Sequence, residues 1–281
     1  MHILKFERLR CIASAAFAGI VCILFNNVAY AEKYTFRIEP SYPPERMQEI
    51  YKPLMAYLAK STGQQFVLDS AKNYHFYWRD LQNTAKTDFA FDEAHFTAFR
   101  IQRDQFEPLV RTSEGTSYTL VSNVDIGNKG INGLVGHNIV TMPAPSLGYS
   151  LLAEFYPNPV MQPDIVSTAT SWRDAVDRVF AGEADAAIIP ALLKDQYPNL
   201  KPIKASRPFA GQCISASPGV PADIRDKVRD ALLKLDTDAD ASKLLFELGV
   251  TKFVTATAKD YEGADQMLKA FLGYSATPPA K

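Results

Sequence analysis

Short apolar stretches alternating with segments of helical periodicity constrain this chain more than any other feature. "YTFRI", Tyr34 to Ile38, alternates like a strand. After the Pro-rich turn "EPSYPPE", Met47, Ile50, Leu54 and Leu58 recur at helical spacing until Gly63 stops them. Pro53 lies inside that pattern and predicts a kink or division near Tyr51. "QFVL" reads as a second strand and Trp78 to Thr84 as a helix. "TDFAF", Thr87 to Phe91, reads as a third strand, apolar enough to be buried on both faces. Such alternation means an α/β lobe with a mainly parallel sheet.

The order then repeats with new material. "YTLVSNV" from Tyr118, "NIVTM" from Asn138, "DIVS" from Asp164 and "ADAAII" running up to Pro190 read as strands, with helices opening near Leu147 and over Trp172 to Ala181. The tail, from "CISASPGVPADIRDKVRDALLKL" onward, is one strand followed by helices with apolar positions at Ile224, Val228, Leu232 and Leu235. Helices without a sheet of their own need a surface, so the tail is expected to return to the first lobe. The chain then crosses between lobes twice, near Ser113 to Tyr118 and near Pro208 to Cys213. Lobe 1 is drawn from residues 32–117 and 209–281, and lobe 2 from residues 118–208.

"MHILKFERLRCIASAAFAGIVCILFNNVAYA" has the layout of an export signal, with a basic start at Lys5, Arg8 and Arg10, an apolar core from Cys11 to Phe25 and a small-residue cleavage site at Ala29-Tyr30-Ala31. Residues 1–31 are therefore read as a signal peptide cleaved after Ala31, which places the protein in the periplasm or at the cell surface. The apolar run is short for a retained membrane anchor, and Gly-Ile-Val before Cys22 is a poor match to a lipid-attachment signal. Removal of the signal leaves Cys213 as the remaining cysteine, so no internal disulfide forms and the core must hold the fold. Charge is nearly balanced, with 30 Lys and Arg against 31 Asp and Glu. Neither a basic run nor basic-aromatic interleaving occurs, and nucleic acid is not expected as a partner.

Catalysis is not expected. The mature chain has His75, His95 and His137 but no G-x-S-x-G elbow, H-E-x-x-H pair or phosphate-cradling loop, and it shows no cofactor motif.

"YKPLMAYLAKSTGQQFVL", "KTDFAFDEAHFTAFR", "SLGYSLLAEF", "SWRDAVDRVFAGEADAAII" and "GVPADIRDKVRDALLKL" occur in the order and at about the spacing of the phosphonate/phosphate-type periplasmic solute-binding proteins. The chain resembles that family, and the resemblance implies the type II periplasmic binding protein fold. Two lobes joined by crossing strands would close on a small anionic solute, then deliver it to the membrane permease of an ABC importer. A rival role is a sensory module that docks to a periplasmic sensor or chemoreceptor. Free diffusion between cleft and membrane suits a monomer.

The resemblance also implies that an anionic head group sits on a hydroxyl-rich loop where the second lobe's first helix begins, here Ser146, Leu147, Gly148 and Tyr149. A helix N-terminus favours anions through its N–H groups and dipole. The alternative is that Ser146 only caps the helix and Gly148 only makes a turn. Relative to the family pattern, the hydroxyl run is reduced to Pro145-Ser146-Leu147, Trp172 occupies the histidine position, and Pro190 stands where an acidic residue meets an amine. These departures disfavour an aminoalkylphosphonate and suit a flatter or more apolar anion stacked on Trp172.

Loops beyond the carboxyl ends of the first lobe's parallel strands add Tyr42, Tyr74 and the Asp92 to Phe96 segment. Tyr74 is either a stacking wall or the packed base of a helix. Asp92 and Glu93 either cap the next helix, or Glu93 or His95 meets a donor or a cationic part of the solute. One histidine and two carboxylates make a weak metal site, so none is expected. Arg173 either pairs with an anion or is a solvated surface residue.

Overall fold

The computed structural model describes residues 32–83, 85–238 and 241–275. β1 (Lys33–Ile38), β2 (Gln65–Ser70), β3 (Phe89–Asp92) and β4 (Glu107–Thr112) start a first sheet. β5 (Tyr118–Ser122), β6 (Asn138–Val140), β7 (Asp164–Val166), β8 (Ala186–Pro190) and β9 (Lys201–Ala205) form a second sheet in the order β7-β6-β8-β5-β9. β10 (Cys213–Ala216) and β11 (Phe253–Thr255) return to the first, giving β11-β4-β10-β3-β1-β2. This is a two-lobed α/β fold.

Pairing is mixed, where the sequence pattern predicts mainly parallel sheets. β1 runs parallel to β2 and β3, but β10 is antiparallel to β3 and β4, and β11 to β4. In the second sheet β6 is parallel to β7 and β8, whereas β5 is antiparallel to β8 and β9. The physical reason is the crossovers: β5 and β10 each enter a sheet from the other one and run against both neighbours. The strands β4, β9 and β11 escape the sequence reading because Pro108 and Pro202 interrupt two of them and the third has three residues.

Helix α1 (Pro44–Thr62) buries Met47, Ile50, Tyr51, Leu54, Met55 and Leu58, and Gly63 ends it at φ 72° by donating its N–H to Ala59 O. Pro53 does not divide it. Proline removes one backbone donor, while the buried stripe on both sides of it holds the segment together. α2 (Tyr74–Gln82) starts earlier than its apolar pattern suggests because Asn73 Oδ1 accepts from Phe76 N at 3.1 Å. α3 (Ala94–Asp104) follows β3 directly, and α4 (Leu147–Phe155) and α5 (Trp172–Phe180) flank the second sheet. α6 (Ala222–Leu233) and α7 (Ser242–Leu248) lie between β10 and β11 in the chain.

One hydrophobic core lies between the first sheet and α1 and α6, around Phe36, Leu54, Phe89, Phe91, Val228 and Leu232. The other runs from α2 and α3 into the second lobe without a break, through Phe96, Tyr118, Leu147 and Trp172. Under β3 the buried Asp92 carboxylate accepts from Arg100 Nε at 2.7 Å and from the Tyr77 hydroxyl, which fixes how α3 leaves the strand. Between the lobes, Thr116 and Phe209 exchange backbone hydrogen bonds of 3.0 and 2.8 Å, so the two crossovers are tied side by side.

Candidate functional site

A cavity of about 400 Å³ is walled from both sheets. Ser41, Tyr42, Tyr51, Glu93 and Gln212 line it from the first, Trp172, Arg173, Pro190 and Gln196 from the second, and Thr112, Thr116 and Ser117 from the crossover between them. The first wall is made where β1 and β3 end, the position at which parallel α/β sheets expose loops to a ligand.

One carboxylate, Glu93, lines this wall, and a second, Glu39, is bonded behind it. Glu39 follows β1 and is 1% exposed; Glu93 precedes α3 and is 4% exposed. The Glu93 N–H donates to Glu39 Oε2 at 2.9 Å, and Gln212 Nε2 donates to Glu39 Oε1 at 2.9 Å. The Tyr118 hydroxyl donates to Glu93 Oε1 at 2.6 Å. Burial, with the neighbouring Glu93 and Asp92 charges adding to it, raises the Glu39 carboxyl well above the usual range. Burial pushes Glu93 up to about 7, aided by Asp92 and opposed by the Tyr118 hydrogen bond.

The Trp172 indole packs edge to face on Tyr118, with ring centres 5.2 Å apart. Arg173, exposed at the cavity rim, donates to Tyr197 Oη at 2.9 Å and to Gln196 Oε1 at 3.2 Å. Tyr42 is 40% exposed and belongs to the same wall as Glu93.

The remaining sequence candidates lie apart from the cavity lining. Ser146 is fully buried; its hydroxyl donates to Met142 O at 3.2 Å and accepts from Tyr149 N at 3.3 Å, a helix cap closed on its own backbone. A Cβ on Gly148 would stand 2.8 Å from Trp172 Cη2, so the backbone approach that glycine permits is used by the indole. Leu147 is buried in the core, and the half-buried Tyr149 ring lies 5.8 Å from Phe271. Trp172 thus packs against the first turn of α4 at Gly148.

Tyr74 is fully buried, stacked on Phe96 at 6.2 Å with its hydroxyl 3.3 Å from Ser41 Oγ. His95 is also fully buried and bridges the lobes: Nε2 lies 3.1 Å from Pro145 O, so it carries the proton, and Nδ1 has no partner among the described residues. Burial holds this imidazole down near 3, against the pull of the Pro145 carbonyl. Sequence reasoning passed over Glu39, Tyr51 and Gln212. An acidic residue directly after an apolar strand was the available signal for Glu39.

Residues 36–261 match the family model for the periplasmic substrate-binding protein of phosphonate ABC transporters. The chain belongs to this family. It is thus a periplasmic substrate-binding protein of an ABC importer, a transport component that takes a small solute and works with a membrane permease. Similar solved structures share its fold at low identity. PhnD1 from Prochlorococcus marinus MIT 9301, in complex with methylphosphonate, is 12% identical with a TM-score of 0.72, over 84% of this chain and 97% of that one. A binding protein component of an ABC phosphonate transporter from Pseudomonas aeruginosa is 18% identical at TM-score 0.70, covering 84% and 85%. A protein from Xanthomonas citri bound to ATP is 13% identical at TM-score 0.68, covering 84% and 95%. No curated protein matches the sequence.

Proposed function

We propose that this substrate-binding protein holds its solute in the cavity between the lobes, and that the solute carries an oxyanion, phosphonate-like or carboxylate, beside an apolar part. The observation that carries this reading is a cavity whose walls come from both sheets and from the crossover joining them. Arg173 is the cationic side chain on a lining that also carries Glu93, Glu114 and Asp195, and its hydrogen bonds among the described residues go to the neutral Tyr197 and Gln196. Its guanidinium is therefore available for a bidentate oxyanion contact, and Thr116 and Ser117 line the same cavity. The apolar part packs on Trp172 and Tyr42. Methylphosphonate, bound by the Prochlorococcus protein, is the natural first probe.

Opening and closing follows as rotation about the two paired crossovers, with the solute favouring closure by the contacts it makes only there. The mature protein starts at Glu32, works as a monomer, and docks in its closed form on the permease. A thermal-shift screen against phosphate, methylphosphonate, sulfate, carboxylates and small aromatic anions tests the reading. A true solute in hundredfold excess over its Kd adds about 2.7 kcal/mol of stability. Arg173→Gln should weaken the responding anion at least tenfold; a response indifferent to that change, and to Trp172→Phe, would place the solute elsewhere.

A further inference from the structure

Glu93 lines the cavity and the buried Glu39 lies behind it, and no cationic side chain among the described residues is bonded to either. Every bonded partner of Glu39 and Glu93 is neutral: Gln212 Nε2 and Ser41 Oγ on Glu39 Oε1, the Glu93 N–H on Glu39 Oε2, and the Tyr118 hydroxyl on Glu93 Oε1. Glu93 Oε2 is buried and has no partner at all among the described residues. The nearby arginines are engaged elsewhere, Arg100 on Asp92 and Tyr77, Arg37 on Asp69 and Asp80. An ionised acid pair buried without a counter-charge is costly, and the cost is relieved either by taking up a proton or by a cation brought from outside. The same cavity presents Tyr42, Tyr51 and Trp172, whose electron-rich ring faces attract organic cations. The lining also carries the carboxylates of Glu114 and Asp195, with Arg173 as its cationic side chain.

We propose that Glu39 and Glu93 form a buried receptor for a cationic group of the solute, an alkylated ammonium seated on Glu93 Oε2 among these aromatic rings. The inference rests on the cavity being the solute site, and it adds a second, oppositely charged end to the molecule bound there. Three or more metal-ligating side chains do not come together anywhere among the described residues, which favours an organic cation over a metal ion.

Isothermal titration of the purified protein with choline, tetramethylammonium and ethanolamine tests this, with dimethylbutanol as the neutral carbon isostere of choline, calcium chloride as the metal control and methylphosphonate as the anion control. The expected result is saturable binding of at least one ammonium compound, at least tenfold weaker binding of the neutral isostere, and a tenfold or greater loss in Glu93→Gln and in Glu39→Gln. Glutamine keeps an acceptor for Tyr118 and removes an unpaired buried charge, so Glu93→Gln should fold, as circular dichroism would verify. Absence of ammonium binding, equal binding of the isostere, indifference to both substitutions, or displacement of choline by calcium would each overturn the proposal. Methylphosphonate binding that depends on Arg173, without any ammonium binding, would do so while leaving the solute-site reading in place. Failure of both probe classes on folded protein would remove both.

Discussion

The pH dependence of stability offers a direct test of how Glu93 is buried. Its carboxyl rises from an ordinary 4.5 to about 7 in the folded chain, mainly because water is excluded from a group that is 4% exposed. Between those values the folded state holds a proton that the unfolded state has released. The stabilisation is therefore complete below the unfolded value and is lost as pH rises through about 7. At about 1.4 kcal/mol per pH unit the full change amounts to about 3 kcal/mol. Glu93→Gln should remove it, leaving the variant more stable than the parent by about that amount at roughly pH 8 and nearly equal to it near the unfolded value. Because the Glu93 charge also helps to raise Glu39, the pH range over which the variant still loses stability should be narrower than the parent's. Urea unfolding followed by far-ultraviolet circular dichroism across this range measures both slopes. A flat profile for the parent, or parallel profiles for the two proteins, would refute the reasoning.

Two further substitutions probe the frame around the cavity. Asp92→Asn leaves the Arg100 guanidinium, 3% exposed, without its counter-charge, and should cost about 3–5 kcal/mol in denaturant unfolding. Gly148→Ala drives a methyl group to 2.8 Å from the Trp172 ring and should cost about 1–3 kcal/mol in the same assay. Adding Trp172→Phe to the latter should recover part of that loss.

Patterns that repeat were legible in the sequence; contacts between distant segments were not. Met47, Ile50, Leu54 and Leu58 announce α1 because a buried stripe needs that spacing whatever it packs against. Pro53 misled because one missing donor weighs less than the stripe around it. Ser146 reads identically as a cap and as an anion ligand, and its role was set by Trp172, which packs on Gly148 from another helix. Nothing in either local sequence records that contact. Glu39 was overlooked for a related reason: after "YTFRI" and before a proline it looks like the first polar residue of a turn. Its burial depends on Gln212, which arrives only when the tail rejoins the first sheet.

The chain has two tryptophans, and the fold gives them different surroundings. Trp78 lies inside the first lobe, with its indole N–H on Leu272 O at 3.0 Å, while Trp172 borders the cavity against Tyr118. Whatever enters or leaves that space changes the polarity felt by one fluorophore and leaves the other as an internal standard. With Trp78 replaced by phenylalanine, the protein's own emission becomes a single-site optical gauge of occupancy, requiring no dye, label or engineered cysteine.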